Sequence, residues 1–440
     1  MADPDVLVIG AGAAGLMAAR QLARAGRRVL ILEARPRIGG RIHTFTPEGF
    51  SRPVEAGAEF LHGDAPLSKV LLQEAGLAWH DTAGRTYEAY AGQVKEAAEF
   101  LADMPLLLER LNALPHDVPL AEFLEEYFPG TAYQQLRERV RQFAEGYDAA
   151  DAHRASAFAL RDEWAGGGAE DSPRPAGGYG RVMELLAQQA QASGAILQVA
   201  TVVREIYWRQ GHVEVTCHQE RRYRASQILL TVPLGVWQAA PGSTGAVVFV
   251  PELPTQRAAA AAMGFGPVIK FLLEFHEPFW LHSSPEVAHP LPELGFLFSD
   301  APVPTWWSQA PDDYPLLTGW LAGPAATDRH NASNEELLAH ALASLATLCG
   351  CTVAFLHRQL RAHHVANWQT DPFAGGAYAY ATVETAAARQ AFAQPVAGTL
   401  YFAGEAFYDG PNMGTVEAAL AAGLQAAEQL LADCPTVPHD

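Results

Sequence analysis

The chain has 440 residues, too many for one hydrophobic core; at roughly 150 residues per domain it predicts two or three domains. Hydrophobic residues make up 49% and charged residues 18%, which excludes a disordered or fibrous chain. Lysine and arginine number 30 against 49 aspartates and glutamates, and the net charge of -19 disfavours nucleic acid or an anionic membrane while suiting a cationic small substrate.

Val6-Leu7-Val8-Ile9 is continuously apolar, as a strand buried on both faces of a parallel sheet is. It runs into Gly10-Ala-Gly12-Ala-Ala14-Gly15, then a helical stretch to Ala25 that Gly26 ends, then a second strand, Val29 to Leu32, with Glu33 after it. Gly10 permits the tight turn, Gly12 lets the backbone approach a pyrophosphate, and Gly15 lets helix and strand pack closely. The helix N-terminus offers unpaired N–H groups to phosphates, and Glu33, 18 residues beyond Gly15, suits the ribose hydroxyls. Together these parts predict a dinucleotide site. A nicotinamide unit normally continues into another crossover here. Instead Arg35-Pro-Arg37-Ile-Gly39-Gly40-Arg41 supplies a second glycine-rich, basic loop suited to a further grip on the pyrophosphate.

Farther along, apolar spacing predicts helices over Val94 to Asn112, Leu120 to Tyr127 and Tyr133 to Glu145, then a surface loop over Gly166 to Gly180. Strand-like runs follow at Val268 to Phe275, Gly295 to Phe298 and Leu316 to Leu321, with a helix at Asn334 to Thr347 and a frayed tail from Cys434. The four cysteines are too few for a disulfide scaffold, and Cys349 and Cys351 have no partners for a zinc site, so no metal is expected. No signal peptide opens the chain, and the run Val6 to Ala19 is too short to span a bilayer. The expectation is a soluble, cytoplasmic protein.

The stretch 30–44, LILEARPRIGGRIHT, resembles the signature of the flavin-containing amine oxidases, a family of monoamine, polyamine and L-amino-acid oxidases and lysine-specific histone demethylases. Further blocks resemble that family in its own order: Val54 to Gly63 (VEAGAEFLHG), Thr201 to Arg204, Thr231 to Val236 with Met263 to Lys270, Trp368 to Tyr380 and Leu400 to Leu424. The resemblance implies an α/β (α+β) fold. A Rossmann-like FAD-binding domain is assembled from residues 1–80, 178–235 and 395–432. A substrate-binding domain of mixed sheet and helices takes 81–177 and 236–394, and the active site lies where the two meet.

It also implies roles for single residues. Gly10, Gly12, Ala14, Gly15, Glu33, Ala34, Arg35, Gly39, Gly40 and Arg41 belong to the dinucleotide end, with the Val203 backbone at the adenine. Ala58, Glu59 and Phe60 run past the flavin ring, and Trp368, Gly404 and Glu405 complete the cofactor contacts. The backbone of Thr415 and Val416, at a helix start, stabilises charge on the reduced ring. Lys270 holds a water beside flavin N5, the alternative being an outward-pointing strand lysine. Tyr378 is one wall of an aromatic cage; Ala377 stands where monoamine oxidases carry the flavin-attaching cysteine, so FAD is expected to be noncovalent. Thr415 occupies the second cage position, which implies a wider or more polar cavity. His62 falls where spermine oxidases also carry histidine and suits a substrate amine, a satisfied structural histidine being the alternative; the Glu59 side chain is taken to face solvent.

Acidic residues Glu122, Glu125, Glu126, Asp162, Glu163, Glu170 and Asp171 are candidates to draw in a polycation, although such runs are more often solvated faces. Trp306, Trp307, Trp320, Phe296 and Phe298 are candidate cavity walls or core. The resulting expectation is oxidation of a small-molecule amine, a polyamine in preference, to an imine, with hydride transfer to FAD and dioxygen returning as peroxide. No nucleic-acid or membrane partner is expected. The rivals are a monoamine or aromatic-amine oxidase, an L-amino-acid oxidase (carboxylate partners Arg85, Arg257 or Arg329), and a flavoprotein without turnover.

Overall fold

Residues 3–97, 104–165, 172–410 and 412–433 are described by the computed structural model. Val6–Ile9 sits at the centre of a five-stranded parallel sheet in the order Leu400–Phe402, Gln227–Leu230, Val6–Ile9, Val29–Leu32, Ile196–Gln198. Every residue of the central strand is buried, because helices cover one face of this sheet and further strands the other. Helices Ala13–Arg24, Gly180–Ala192 and Val416–Asp433 share the first of these cores. The second joins this sheet to a four-stranded one of Arg222–Ala225, His212–Cys217, Val203–Arg209 and Val248–Val250.

The second large element is a seven-stranded, mostly antiparallel sheet in the order Leu360–Asn367, Val268–Phe275, Leu316–Ala322, Thr305–Trp307, Leu294–Ser299, Arg85–Tyr90, Gln93–Glu96. Its last two strands overturn the helix expected from Val94 onwards. Ala91 and Gly92, both at positive φ, make a two-residue turn, and Ala89 pairs with Val94 across it. Pairing of Arg85–Tyr90 to Leu294–Ser299 then outweighs the local helical spacing; residues 98–103 lie outside the described residues, and the helix described after them is Met104–Asn112. The helices Leu120–Tyr127, Gln134–Tyr147 and Ala157–Ala165 form a separate core with it. Cys217, Cys349 and Cys351 are free thiols, and among the described residues no single helix is long and apolar enough to cross a membrane. Glu170, Asp171 and the tail from Cys434 lie outside the described residues.

Candidate active site

One cavity of about 1960 Å³ runs between the two large sheets, roughly twice the ~1,000 Å³ upper end of ordinary ligand pockets. Every cofactor or catalytic candidate from the sequence lines it except Gly15. Gly15 acts in packing: a Cβ there would meet the Gly10 carbonyl oxygen at 2.0 Å. Gly10 itself takes φ +108°, open only to glycine without strain.

At the nucleotide end the two glycine-rich loops are drawn together, Gly39 N donating to Ala11 O at 2.8 Å. Gly12 is the N-cap of Ala13–Arg24 and no side chain caps that helix, so its first N–H groups remain open to an anion. A Cβ on Gly12 would find only Gly39 O, at 3.9 Å, which leaves room for a close approach. Glu33 is held by the N–H groups of Ala11 (2.8 Å) and Arg35 (2.9 Å). Arg41 donates to Ala377 O (2.7 Å) and to Glu405 Oε1 (2.5 Å), while Glu405 Oε2 is buried without a hydrogen-bond partner. An open helix N-terminus, a glycine cradle and an orphaned carboxylate oxygen are the groups a ribityl pyrophosphate would satisfy. The residues fit FAD.

Several of these residues have partners within the protein, and one expectation, the solvent-facing Glu59, is corrected. Arg35 does not offer a free grip on phosphate: its guanidinium pairs with Asp371 at 2.6 Å. Arg37 is spent on the carbonyls of Ile38 and Ile42. The Thr415 hydroxyl donates to Asn412 O (2.7 Å) and accepts from Ala418 N (3.1 Å), so it caps the helix Val416–Asp433. Glu59 does not face solvent; it is 8% exposed and is the hub of a buried charge cluster.

That cluster lies at the other end of the cavity. Lys270, 1% exposed on the fully buried strand Val268–Phe275, donates to Glu59 Oε2 at 2.7 Å and to Gly57 O at 3.2 Å. Arg174 Nε lies 3.0 Å from Glu59 Oε1, and Trp307 Nε1 donates to the same oxygen at 3.1 Å. Burial raises the Glu59 carboxyl, but Lys270 and Arg174 outweigh it and hold the group at about 2. From Lys270 a wall of rings leads onward. Its ammonium sits 5.6 Å from the Trp307 centroid, Trp307 lies 5.7 Å from Trp320, and Trp320 stacks on Tyr378 at 6.4 Å. Tyr378 abuts Gly414, the residue before the Thr415 cap. These contacts bring Lys270, the rings and the N-terminus of Val416–Asp433 together in the cavity that Glu33 and Val203 also line. Phe296 and Phe298 also line the cavity, whereas Trp306 is core.

The far wall joins the predicted His62 and Glu163 to Tyr147 and Asp148, which sequence reasoning missed. His62 Nδ1 lies 3.2 Å from the Tyr147 hydroxyl, and burial pushes the imidazole down to about 4, so it is neutral near pH 7. Asp148 follows, and Ala149 at φ 50° turns the chain away from the helix Gln134–Tyr147. The carboxyls of Asp148 and Glu163 are coupled electrostatically, and both residues line the cavity. Burial raises both, and the Glu163 charge raises Asp148 further, so the pair holds protons more tightly than free carboxyls do. Glu122, Glu125 and Glu126 are by contrast solvated. No sequence signal marks Arg174, and only a lone aspartate at a helix end before an apolar pair marks Asp148.

The model of the flavin-containing amine oxidoreductases matches residues 13–431 of this chain. The chain belongs to that family. This amine oxidoreductase is 28% identical to polyamine oxidase 4 of Oryza sativa, over 97% of its own length and 88% of the relative's. It is 29% identical to polyamine oxidase 2 of Arabidopsis thaliana with the same coverage. To human lysine-specific histone demethylase 2 it is 27% identical, spanning 92% of this chain but 50% of that one. Among solved structures, putrescine oxidase bound to putrescine superposes with a TM-score of 0.79 at 22% identity, covering 98% and 99% of the two chains. The cyclohexylamine oxidase of Brevibacterium oxydans gives the same values. The fold is thus that of the family's Rossmann-like flavoenzymes, and the chain is a flavin-containing oxidoreductase acting on amines.

Proposed function

We propose that this enzyme oxidises a diamine or polyamine, with noncovalent FAD as oxidant and dioxygen as final acceptor, giving an imine and hydrogen peroxide. The carboxyl pair Asp148–Glu163 carries the reading: two coupled acidic residues on one cavity wall suit an ammonium group away from the reacting carbon. Relatives named as polyamine oxidases and the fold shared with putrescine oxidase support it. Bound FAD supplies the acceptor for a hydride from the carbon next to nitrogen. The chain's own residues bind and orient. Neutral His62 accepts from the reacting nitrogen, Tyr378 and Trp320 wall the substrate chain, and the acidic pair fixes its length. Ala377, in place of an attaching cysteine, supports noncovalent binding. The two-domain division read from sequence belongs to the same proposal.

The arginines considered for an amino-acid substrate do not serve it: Arg85 pairs with Glu96 and Glu293, Arg257 donates to Val247 O, and neither they nor Arg329 line the cavity. Incubating FAD-loaded enzyme with spermine, putrescine, butylamine and tryptamine while following peroxide tests the reading. At least tenfold higher kcat/KM for a diamine or polyamine than for butylamine is expected, a differential binding of about 1.4 kcal/mol. Peroxide from the monoamines alone would overturn it.

A further inference from the structure

Two cations and one carboxylate are buried together at the ring end of the cavity, and they do not cancel. Glu59 receives Lys270 on Oε2 at 2.7 Å and Arg174 on Oε1 at 3.0 Å, with Trp307 and Gln309 donating to Oε1 as neutral partners at 3.1 and 3.3 Å. Of the other ionisable groups packed around it, Glu55 accepts from Thr44 and Tyr179 and is raised by burial to about 7, His62 faces Tyr147, and Glu274 is spent on Ser51, Tyr314 and Arg361. The trio therefore carries a surplus of one positive charge. All three side chains are nearly fully buried, so that charge is poorly screened.

We propose that Glu59 is a positioning residue that sets the electrostatic field at the flavin ring: it pins the Lys270 ammonium against the loop carbonyl of Gly57 and cancels one of the two buried cations. The Lys270–Trp307–Trp320–Tyr378 chain of contacts connects this trio to the start of the helix Val416–Asp433, whose N-terminus faces the same end. Both devices place positive potential there, and positive potential favours an electron-rich, anionic ring over a neutral one. Lysine and arginine alone would overshoot, with two unpaired buried cations costly to the fold. Glu59 lowers that cost while keeping the surplus.

The prediction is one of opposite signs. Glu59→Gln removes the compensating charge and raises the two-electron reduction potential of bound FAD. Arg174→Gln removes the surplus and lowers it. Each shift is expected to reach about tenfold in the equilibrium constant, close to 30 mV for this couple. The holoenzymes are compared by equilibration with a reference dye at pH 6, where Glu55, raised by burial to about 7, keeps its proton. Glu59→Asp, which retains the charge, should restore the wild-type value within threefold. Shifts of the same sign, or none, in FAD-loaded variants would overturn the proposal, because a merely structural role weakens FAD retention in both without moving the potentials apart. If Glu59→Gln does not retain FAD, Arg174→Gln decides alone: a lowered potential supports the assignment and an unchanged or raised one overturns it. No amine enters the measurement, so it stands or falls separately from the polyamine reading.

Discussion

Asp148 and Glu163 are coupled on the cavity wall, and two carboxyls so placed cannot both ionise cheaply. Either one alone still offers a carboxylate when its neighbour is made neutral, so the pair has a built-in redundancy that single substitutions will hide. Asp148→Asn and Glu163→Gln are each expected to raise KM for putrescine less than tenfold. The double variant loses the charge altogether and should raise it about 10- to 100-fold, the range of a lost charge-assisted hydrogen bond. Butylamine, which places no ammonium on that wall, should be unaffected in all three. Steady-state peroxide assays with the two amines check this, and a double variant that keeps its preference for putrescine would remove the pair from substrate recognition. His62 adds a sign at low pH. Its imidazole titrates near 4, so no His62 ionisation should appear in kcat/KM between pH 6 and 8.

Among the elements, the helix Val416–Asp433 owes its cavity-facing end to one hydroxyl. Thr415, which lines the cavity, caps the helix, and nearby Glu417 ties it to Pro66–Glu74 through the N–H groups of Leu67 and Ser68, both at 2.8 Å. Thr415→Ala should cost about 1 kcal/mol and Thr415→Ser almost nothing. Urea unfolding of the FAD-free protein measures both, and equal losses in the two variants would show that the methyl, not the cap, matters. The same element shows what a sequence reveals. Its start, the strand Val268–Phe275 and the helix Leu120–Tyr127 were legible because apolar spacing and glycines act on neighbours within a few residues. The turn at Ala91-Gly92 was missed because distant strand pairing outvoted local spacing. The site divides along the same line. Glycine cradles and the acidic residue after a strand are local signals, whereas the partner of Lys270 lies 211 residues away, and no spacing rule reaches it. That distance is also why Glu59 read as a solvent-facing loop residue.

Across the whole molecule, segments far apart in sequence are tied by buried carboxyls whose ionisation sets a pH window. Glu55 accepts from Thr44 Oγ1 at 2.6 Å and from Tyr179 N at 2.8 Å, joining the first cofactor segment to the start of the helix Gly180–Ala192. Its second oxygen is buried without a partner, and burial raises the group from 4.5 to about 7. The folded state thus holds this proton more tightly than the unfolded chain. Its contribution is fully present below about 4.5 and is lost as pH rises through about 7, amounting to something on the order of 3 kcal/mol. Glu59 has the opposite sign: its group is lowered to about 2, so its contribution is present above 4.5 and fades only in strong acid. Between pH 5 and 8.5 the Glu55 effect should therefore dominate the difference between wild type and Glu55→Gln. Gln keeps an acceptor for Thr44 and Tyr179 and cannot ionise, so the variant should unfold at nearly the same temperature as wild type at pH 5 and several degrees higher at pH 8.5. The scans belong on FAD-free protein, since cofactor binding adds its own mass-action stability. Parallel curves for the two proteins across that window would mean that Glu55 ionises without cost, and that the tie between these segments does not depend on its proton.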